Sequence, residues 1–193
     1  MHAILRLFTL IIAAVYSGVV FAQAAPELPV KSYILMDAAS GQTLVGKNAD
    51  EKLPPASITK LMTSYLVAEA LDSGKLTMET PITVSQNAYK QEGSRMFIEV
   101  GSQVSLEALL RGIIVLSGND ACAVIAEALS PDGTEAGFAR FMTQRAQDMG
   151  MTNSTFANSN GWPAAGHRMS MHDLAILAER LPGISESARI FAG

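Results

Sequence analysis

Cysteine is almost missing from this chain: Cys122 is the only one in 193 residues. A single thiol excludes an intramolecular disulfide and any metal site built on several thiolates. Histidine is scarce as well, with three in all. His167 and His172 do not fit the His-Glu-x-x-His zinc pattern, and His2 falls in an N-terminal leader, so no metal or other cofactor is expected. Charge is thin, at 17% of residues with a net of −4, and no basic run occurs. That balance argues against a nucleic-acid partner. Gly-x-Ser-x-Gly and a Gly-rich phosphate loop are both absent, which removes a nucleophile elbow and a nucleotide site. No lysine follows Lys90.

What is present is an apolar fraction of 49%, enough for one domain of moderate size with a real core. The first two dozen residues stand apart. A weakly basic start at Arg6 leads into an apolar stretch over residues 7–20, closed by Ala22-Gln23-Ala24 and followed by Pro26. This pattern predicts a secretory signal peptide over residues 1–24, cleaved after Ala24, and an exported protein. The rest, residues 25–193, reads as one domain.

The chain then alternates short β-prone pieces with apolar helices. Residues 32–37 and 42–47 read as a hairpin around Gly41. A helix starting at Ser57 and nearly apolar all round should end at Asp72-Ser73, with Gly74 at the left-handed position beyond it. Between Lys75 and Val104 the pattern breaks into an irregular excursion roofing one side of a cleft, with strand-like pieces at residues 82–84 and 96–98. Ser85 caps a short turn of helix, and Ser105 caps a longer one running to Leu116. Further helices are expected over residues 121–129, 134–149 and 171–181, with a loop centred on Trp162 before the last.

The chemistry concentrates at Ser57-Ile58-Thr59-Lys60, where the chain leaves Pro54-Pro55 and enters the central helix. Residues at i and i+3 share a helix face, so the Lys60 amine can reach the Ser57 hydroxyl. A serine hydroxyl is a poor nucleophile until a base takes its proton. A lysine serves as that base only when partly neutral, and burial beside an apolar helix lowers its pKa in that direction. Ser-x-x-Lys alone is a cheap pattern; its place at the mouth of a buried helix is what gives it weight. Ser117-Gly118-Asn119, on the break between two apolar helices, offers a second hydroxyl and an amide. The plainer reading is that Ser117 ends one helix while Asn119 or Asp120 caps the next. Ser85-Gln86-Asn87 has the same spelling. Cys122 lies on an apolar face and reads as core.

Ser57-x-x-Lys60 followed some sixty residues later by Ser117-x-Asn119 is two-thirds of a signature of penicillin-binding proteins and class A β-lactamases. Pro55-Ala56-Ser57-Ile58-Thr59-Lys60-Leu61-Met62-Thr63, Gly93-Ser94-Arg95-Met96-Phe97-Ile98, Arg111-Gly112-Ile113 and Phe156-x-Asn158-x-x-Gly161 narrow the resemblance. So do the opening hairpin and the helix around Asp173-Leu174-Ala175. Over residues 29–181 the chain resembles the low-molecular-mass D-alanyl-D-alanine carboxypeptidases of serine peptidase family S11. The resemblance implies an α+β fold, a helical cluster with an antiparallel sheet. It implies a location in the periplasm or on the outer face of the cytoplasmic membrane, and a role in cell-wall remodelling. Ser57 would attack the penultimate D-alanine carbonyl of a peptidoglycan stem peptide, Lys60 would take its proton, and Ser117 would relay a proton to the leaving amine. Asn119 would bond the substrate amide. β-Lactams would acylate Ser57, and the Ser57 N–H would serve as an oxyanion donor, worth roughly 3–4 kcal/mol.

One part of the family pattern has no counterpart. Its Lys-Thr-Gly strand, which binds the substrate carboxylate and supplies the second oxyanion donor, is not found. The expectation is therefore the N-terminal portion of a longer catalytic domain, lacking the later sheet strands and any C-terminal membrane anchor. A β-lactamase and a non-catalytic peptidoglycan- or penicillin-binding protein are the alternatives. Gly118 and the lack of an evident deacylating Glu speak against the β-lactamase.

Overall fold

The computed structural model describes residues 27–181. The signal segment expected over residues 1–24 lies outside the described residues. The order of elements is β1 (Tyr33–Met36), β2 (Thr43–Lys47), a 3-10 turn (Ala56–Ile58), α1 (Thr59–Asp72), β3 (Pro81–Thr83) and the single-turn α2 (Gln86–Tyr89). Then come β4 (Gln103–Ser105), α3 (Leu106–Leu116), α4 (Asn119–Leu129), α5 (Glu135–Asp148) and α6 (Met171–Arg180). This is an α+β fold, helices around a core with two small antiparallel sheets at its margin. Among the described residues no helix is long and apolar enough to cross a membrane.

α1 is the central element. Ten of its fourteen residues are buried, including Met62, Leu66 and Val67, and it packs against α4 and α5. Burying side chains of this size contributes about 1.5–3 kcal/mol each. The helix stops where Gly74 takes φ +70, and the N–H of Lys75 bonds back to the Ala70 carbonyl at 2.9 Å. A left-handed glycine closing a helix is the reading its sequence invites. At its outer end Glu69 receives a two-pronged ion pair from Arg145 of α5, with one N···O distance of 2.5 Å.

β1 and β2 pair antiparallel, Tyr33 opposite Lys47, with an irregularity between Leu35 and Met36, and β1 lies against α6. Among the described residues this hairpin gains no third strand. Leu35 and Leu44 therefore stand exposed on it. β3 pairs with β4, Ile82 opposite Val104.

Two expectations need correcting. Residues 96–98 are not a strand, because the N–H groups of Met96 and Phe97 go to the Asp120 carboxylate at 2.9 Å each. Phe97 also takes φ +61, outside the strand region. The partner of β3 is instead the segment just before α3. Secondly, α4 begins at Asn119 rather than Ala121, and its N-cap is Gly118 with no side-chain cap. The capping role weighed for Asn119 and Asp120 is replaced by longer-range bonds. The caps foreseen at Ser85 and Ser105 are present, each hydroxyl accepting a backbone N–H three residues on.

Candidate active site

Ser57 sits in the turn that opens α1, exposed at its mouth, while Lys60 one turn later is buried with 6% exposure. The Lys60 Nζ lies 3.3 Å from Ser57 Oγ, 2.8 Å from Asn119 Oδ1 and 2.8 Å from the Asn160 carbonyl oxygen. The two short contacts go to atoms that can only accept. In the neutral amine they use both hydrogens and leave the lone pair for the Ser57 O–H. Burial pushes the Lys60 pKa down from 10.5. Among the described ion pairs none includes Lys60, and the positive end of α1 works in the same direction. A thiolate at Cys122 would oppose this, but burial lifts that thiol to about 12, so it is neutral at physiological pH. Cys122 is core, as its sequence context indicates.

Ser117 arrives from the break between α3 and α4. Its φ of +55 is left-handed, a backbone state that a non-glycine residue holds at some cost, of order 1–3 kcal/mol. The bend places Ser117 Oγ 3.3 Å from Ser57 Oγ. Ala56, next to Ser57, is left-handed too, at φ +48.

Two loops wall the cleft. The first, around Gly93 and Ser94, is pinned to the start of α4: Asn119 N–H bonds the Ser94 carbonyl at 2.7 Å, and Asn119 Nδ2 the Glu92 carbonyl at 2.6 Å. Asp120, 1% exposed, holds Met96 and Phe97 as described above. This is the roof expected of the Lys75–Val104 excursion. The second loop runs from Ala157 to His167. It delivers Asn160 to Lys60, and its Ser159 carbonyl accepts the Thr63 hydroxyl at 2.6 Å. At Gly161, φ +88, an added Cβ would stand 1.8 Å from the Ala56 carbonyl oxygen, so only glycine lets this loop meet the Ser57 turn. Between the loops lies a cavity of about 290 Å³ that both serines face, with Trp162 half exposed at its edge. A larger cavity of about 490 Å³ adjoins it beside Pro54, Trp162 and His167. The smaller one is lined by Ser57, Ser117, Asn119 and Asn160.

The structure thus brings Ser57, Lys60, Ser117 and Asn119 together, the four residues singled out from sequence. Asn119 is the one whose partners differ from those inferred. Both ends of its amide are already engaged, one with the Lys60 amine and one with the roof, so it positions Lys60 as well as facing the cleft. The sequence holds no sign of Asn160, and it offers Asp120 only as a cap, Gly161 only as a motif glycine and His167 only as a rejected metal ligand. Asn160 acts here through a backbone carbonyl, which leaves no mark in a sequence.

Solved structures with the same arrangement of elements include penicillin-binding proteins and D-alanyl-D-alanine carboxypeptidases. The D-alanyl-D-alanine carboxypeptidase DacD of Francisella tularensis superposes with a TM-score of 0.84 at 35% identity, over 93% of this chain and 43% of that one. Among curated proteins, D-alanyl-D-alanine carboxypeptidase DacF of Bacillus subtilis is 40% identical over 78% of this chain and 38% of its own length. DacC of Escherichia coli is 40% identical over 81% of this chain and 40% of its own. The family model described as D-alanyl-D-alanine carboxypeptidase matches residues 19–186, and the chain belongs to that family, S11. It spans about two-fifths of the length of these curated relatives.

Proposed function

We propose that this chain carries the acyl-transfer machinery of a serine-type D-Ala-D-Ala carboxypeptidase acting on peptidoglycan stem peptides. The Lys60 lone pair takes the Ser57 proton as Oγ attacks the penultimate D-alanine carbonyl. The tetrahedral intermediate collapses by expelling the terminal D-alanine. Its nitrogen receives a proton from Ser117 Oγ, which is replenished from Lys60. Water then attacks the acyl ester, Lys60 again acting as base, and Ser57 is regenerated. The first helical turn is where backbone N–H groups lack intrahelical partners, which suits the Ser57 N–H to the developing oxyanion.

The observation that carries this reading is the Lys60 amine, held by two acceptors at 2.8 Å with its third position directed at Ser57 Oγ. β-Lactams, as mimics of the acyl-D-alanyl-D-alanine terminus, would acylate the same oxygen. Ser57 lines the 290 Å³ cavity and a second one of about 270 Å³ beside Lys60, Ile113 and Ser117. Among the described residues neither is lined by an Asp or Glu that could activate a deacylating water, which supports a stable adduct over β-lactamase turnover. The apolar stretch of residues 7–20 and Ala22-x-Ala24 support export to the periplasm or the outer face of the cytoplasmic membrane.

A second reading, a peptidoglycan- or penicillin-binding protein without turnover, draws on one fact. Among the described residues Lys60 is the only lysine or arginine lining the two cavities that contain Ser57, and it is committed to Ser57, while Arg168 lines only the adjoining 490 Å³ cavity. Turnover of a diacyl-D-Ala-D-Ala peptide beside that of penicillin separates the readings. Released D-alanine supports the carboxypeptidase. Fast penicillin hydrolysis without peptide cleavage supports the β-lactamase, and an adduct with neither turnover supports the binder.

A further inference from the structure

Thr59 stands between the nucleophile and the base in sequence, and it is fully buried. Its hydroxyl oxygen lies 2.8 Å from Nε2 of His167, a ring with 2% exposure. The other ring nitrogen, Nδ1, accepts the backbone N–H of Ala157 at 3.1 Å. A backbone N–H can only donate, so Nδ1 carries the lone pair and Nε2 the hydrogen. The ring is therefore the neutral Nε2–H tautomer, donating to Thr59. Phe156 meets it edge-on, with centroids 5.7 Å apart. One imidazole thus joins three things: the start of the 157–167 loop, the end of that loop, and the first turn of α1. Between its ends the loop delivers the Asn160 carbonyl to Lys60 and sets Gly161 against the backbone of Ala56.

We propose that His167 is a positioning residue for acyl transfer: in its neutral Nε2–H form it clips the loop to α1 and so keeps the Asn160 carbonyl on the Lys60 amine. The inference rests on the Ser57–Lys60 reading above. Protonation at Nδ1 sets two N–H donors against each other across the Ala157 contact, and the clip opens. Lys60 then loses one of the two acceptors that aim its lone pair at Ser57. The groups around the ring favour the neutral state. α1 presents Thr59, the loop presents Ala157, Phe156 lies just before the loop, and Arg168, the one charge acting on the ring, bonds the His167 carbonyl at 2.8 Å. Among the described hydrogen bonds none joins the ring to a carboxylate. Burial first, and then the Arg168 charge, hold the imidazole below the ordinary 6.5.

The test is the rate of Ser57 acylation by a fluorescent penicillin from pH 4 to 8, in the wild type and in His167→Gln. The glutamine amide can still donate to Thr59 but does not titrate. Two groups must lose a proton in the wild type, Lys60 and His167. The acid limb of log rate against pH should therefore steepen from slope one to slope two below the His167 value. The variant should keep slope one throughout and acylate about tenfold more slowly at pH 7, with reagent affinity little changed. A folded variant with the wild-type rate and slope overturns the proposal alone. A wild type that gains no adduct at any pH overturns the acyl-transfer reading and this inference with it. Should the variant not fold, 15N spectra of the wild-type imidazole decide. Nδ1 protonation that coincides with a shifted Ala157 amide and falling acylation supports the clip. Protonation with both unchanged refutes it.

Discussion

Asp120 and Met96 join the two sides of the cleft: a buried carboxylate at the start of α4 accepts the Met96 N–H at 2.9 Å, and its second oxygen takes Phe97 at the same distance. The residue three before Asp120 is Ser117, and the residue two before Met96 is Ser94, which also faces the cavity. One side chain thus sets the roof over the reactive turn. Replacing it by alanine strands two partly buried backbone donors, together worth about 1–3 kcal/mol, and empties the space of a buried carboxylate. Asp120→Ala should lose about 2–4 kcal/mol in urea unfolding and acylate slowly. Wild-type stability in that variant would show that the roof is held by other contacts.

Lys60 as base makes a statement about pH. Its folded pKa is lowered, so the neutral, reactive amine is populated at lower pH than for a free lysine of 10.5. Acylation should rise with pH and level off below 10.5, because the amine is deprotonated as pH climbs through its folded value. Lys60→Ala should lose about 10²- to 10⁴-fold in acylation rate, the usual contribution of a general base. A pH profile unchanged in that variant would assign the limb to another group.

Ser117→Ala removes the hydroxyl 3.3 Å from Ser57 Oγ while leaving both short contacts of Lys60 intact. The expected loss in peptide turnover is about 10²-fold or more, with unfolding free energy within about 0.5 kcal/mol of wild type. Loss of stability without loss of rate would mean that Ser117 is a helix terminator and nothing more.

Gly161→Ala is the steric counterpart. A methyl group 1.8 Å from the Ala56 carbonyl oxygen cannot be accommodated without moving one backbone. The positive φ adds about 1 kcal/mol of its own. The variant should be destabilised by more than about 2 kcal/mol and, where folded, should acylate poorly. Near-native behaviour would show that the loop can retreat from the nucleophile freely.

How far the site could be read beforehand depended on whether a feature was local. Ser57 and Lys60 are one helical turn apart, so spacing alone puts them on one face. Gly74, Ser85 and Ser105 carry their capping chemistry in their residue types. The run Met96-Phe97-Ile98 looks β-prone because propensity counts apolar and aromatic residues, but its backbone donors are claimed by a carboxylate 24 residues away. Asn119 reads as a cap for the same reason: its true partners, Lys60 and Glu92, are remote in sequence. In the sequence His167 suggests nothing beyond a metal ligand, and its bonds to Thr59 and Ala157 need tertiary structure to be seen. The Asn160 carbonyl belongs to the backbone and could not be inferred from any side chain.

The most direct measurement is mass mapping of the folded protein after exposure to labelled penicillin, in the wild type, Ser57→Ala and Lys60→Ala. The account predicts one adduct per chain, located on Ser57, absent from Ser57→Ala and formed at least about 10²-fold more slowly in Lys60→Ala. A folded wild type without an adduct, or a label that persists in Ser57→Ala, would contradict it.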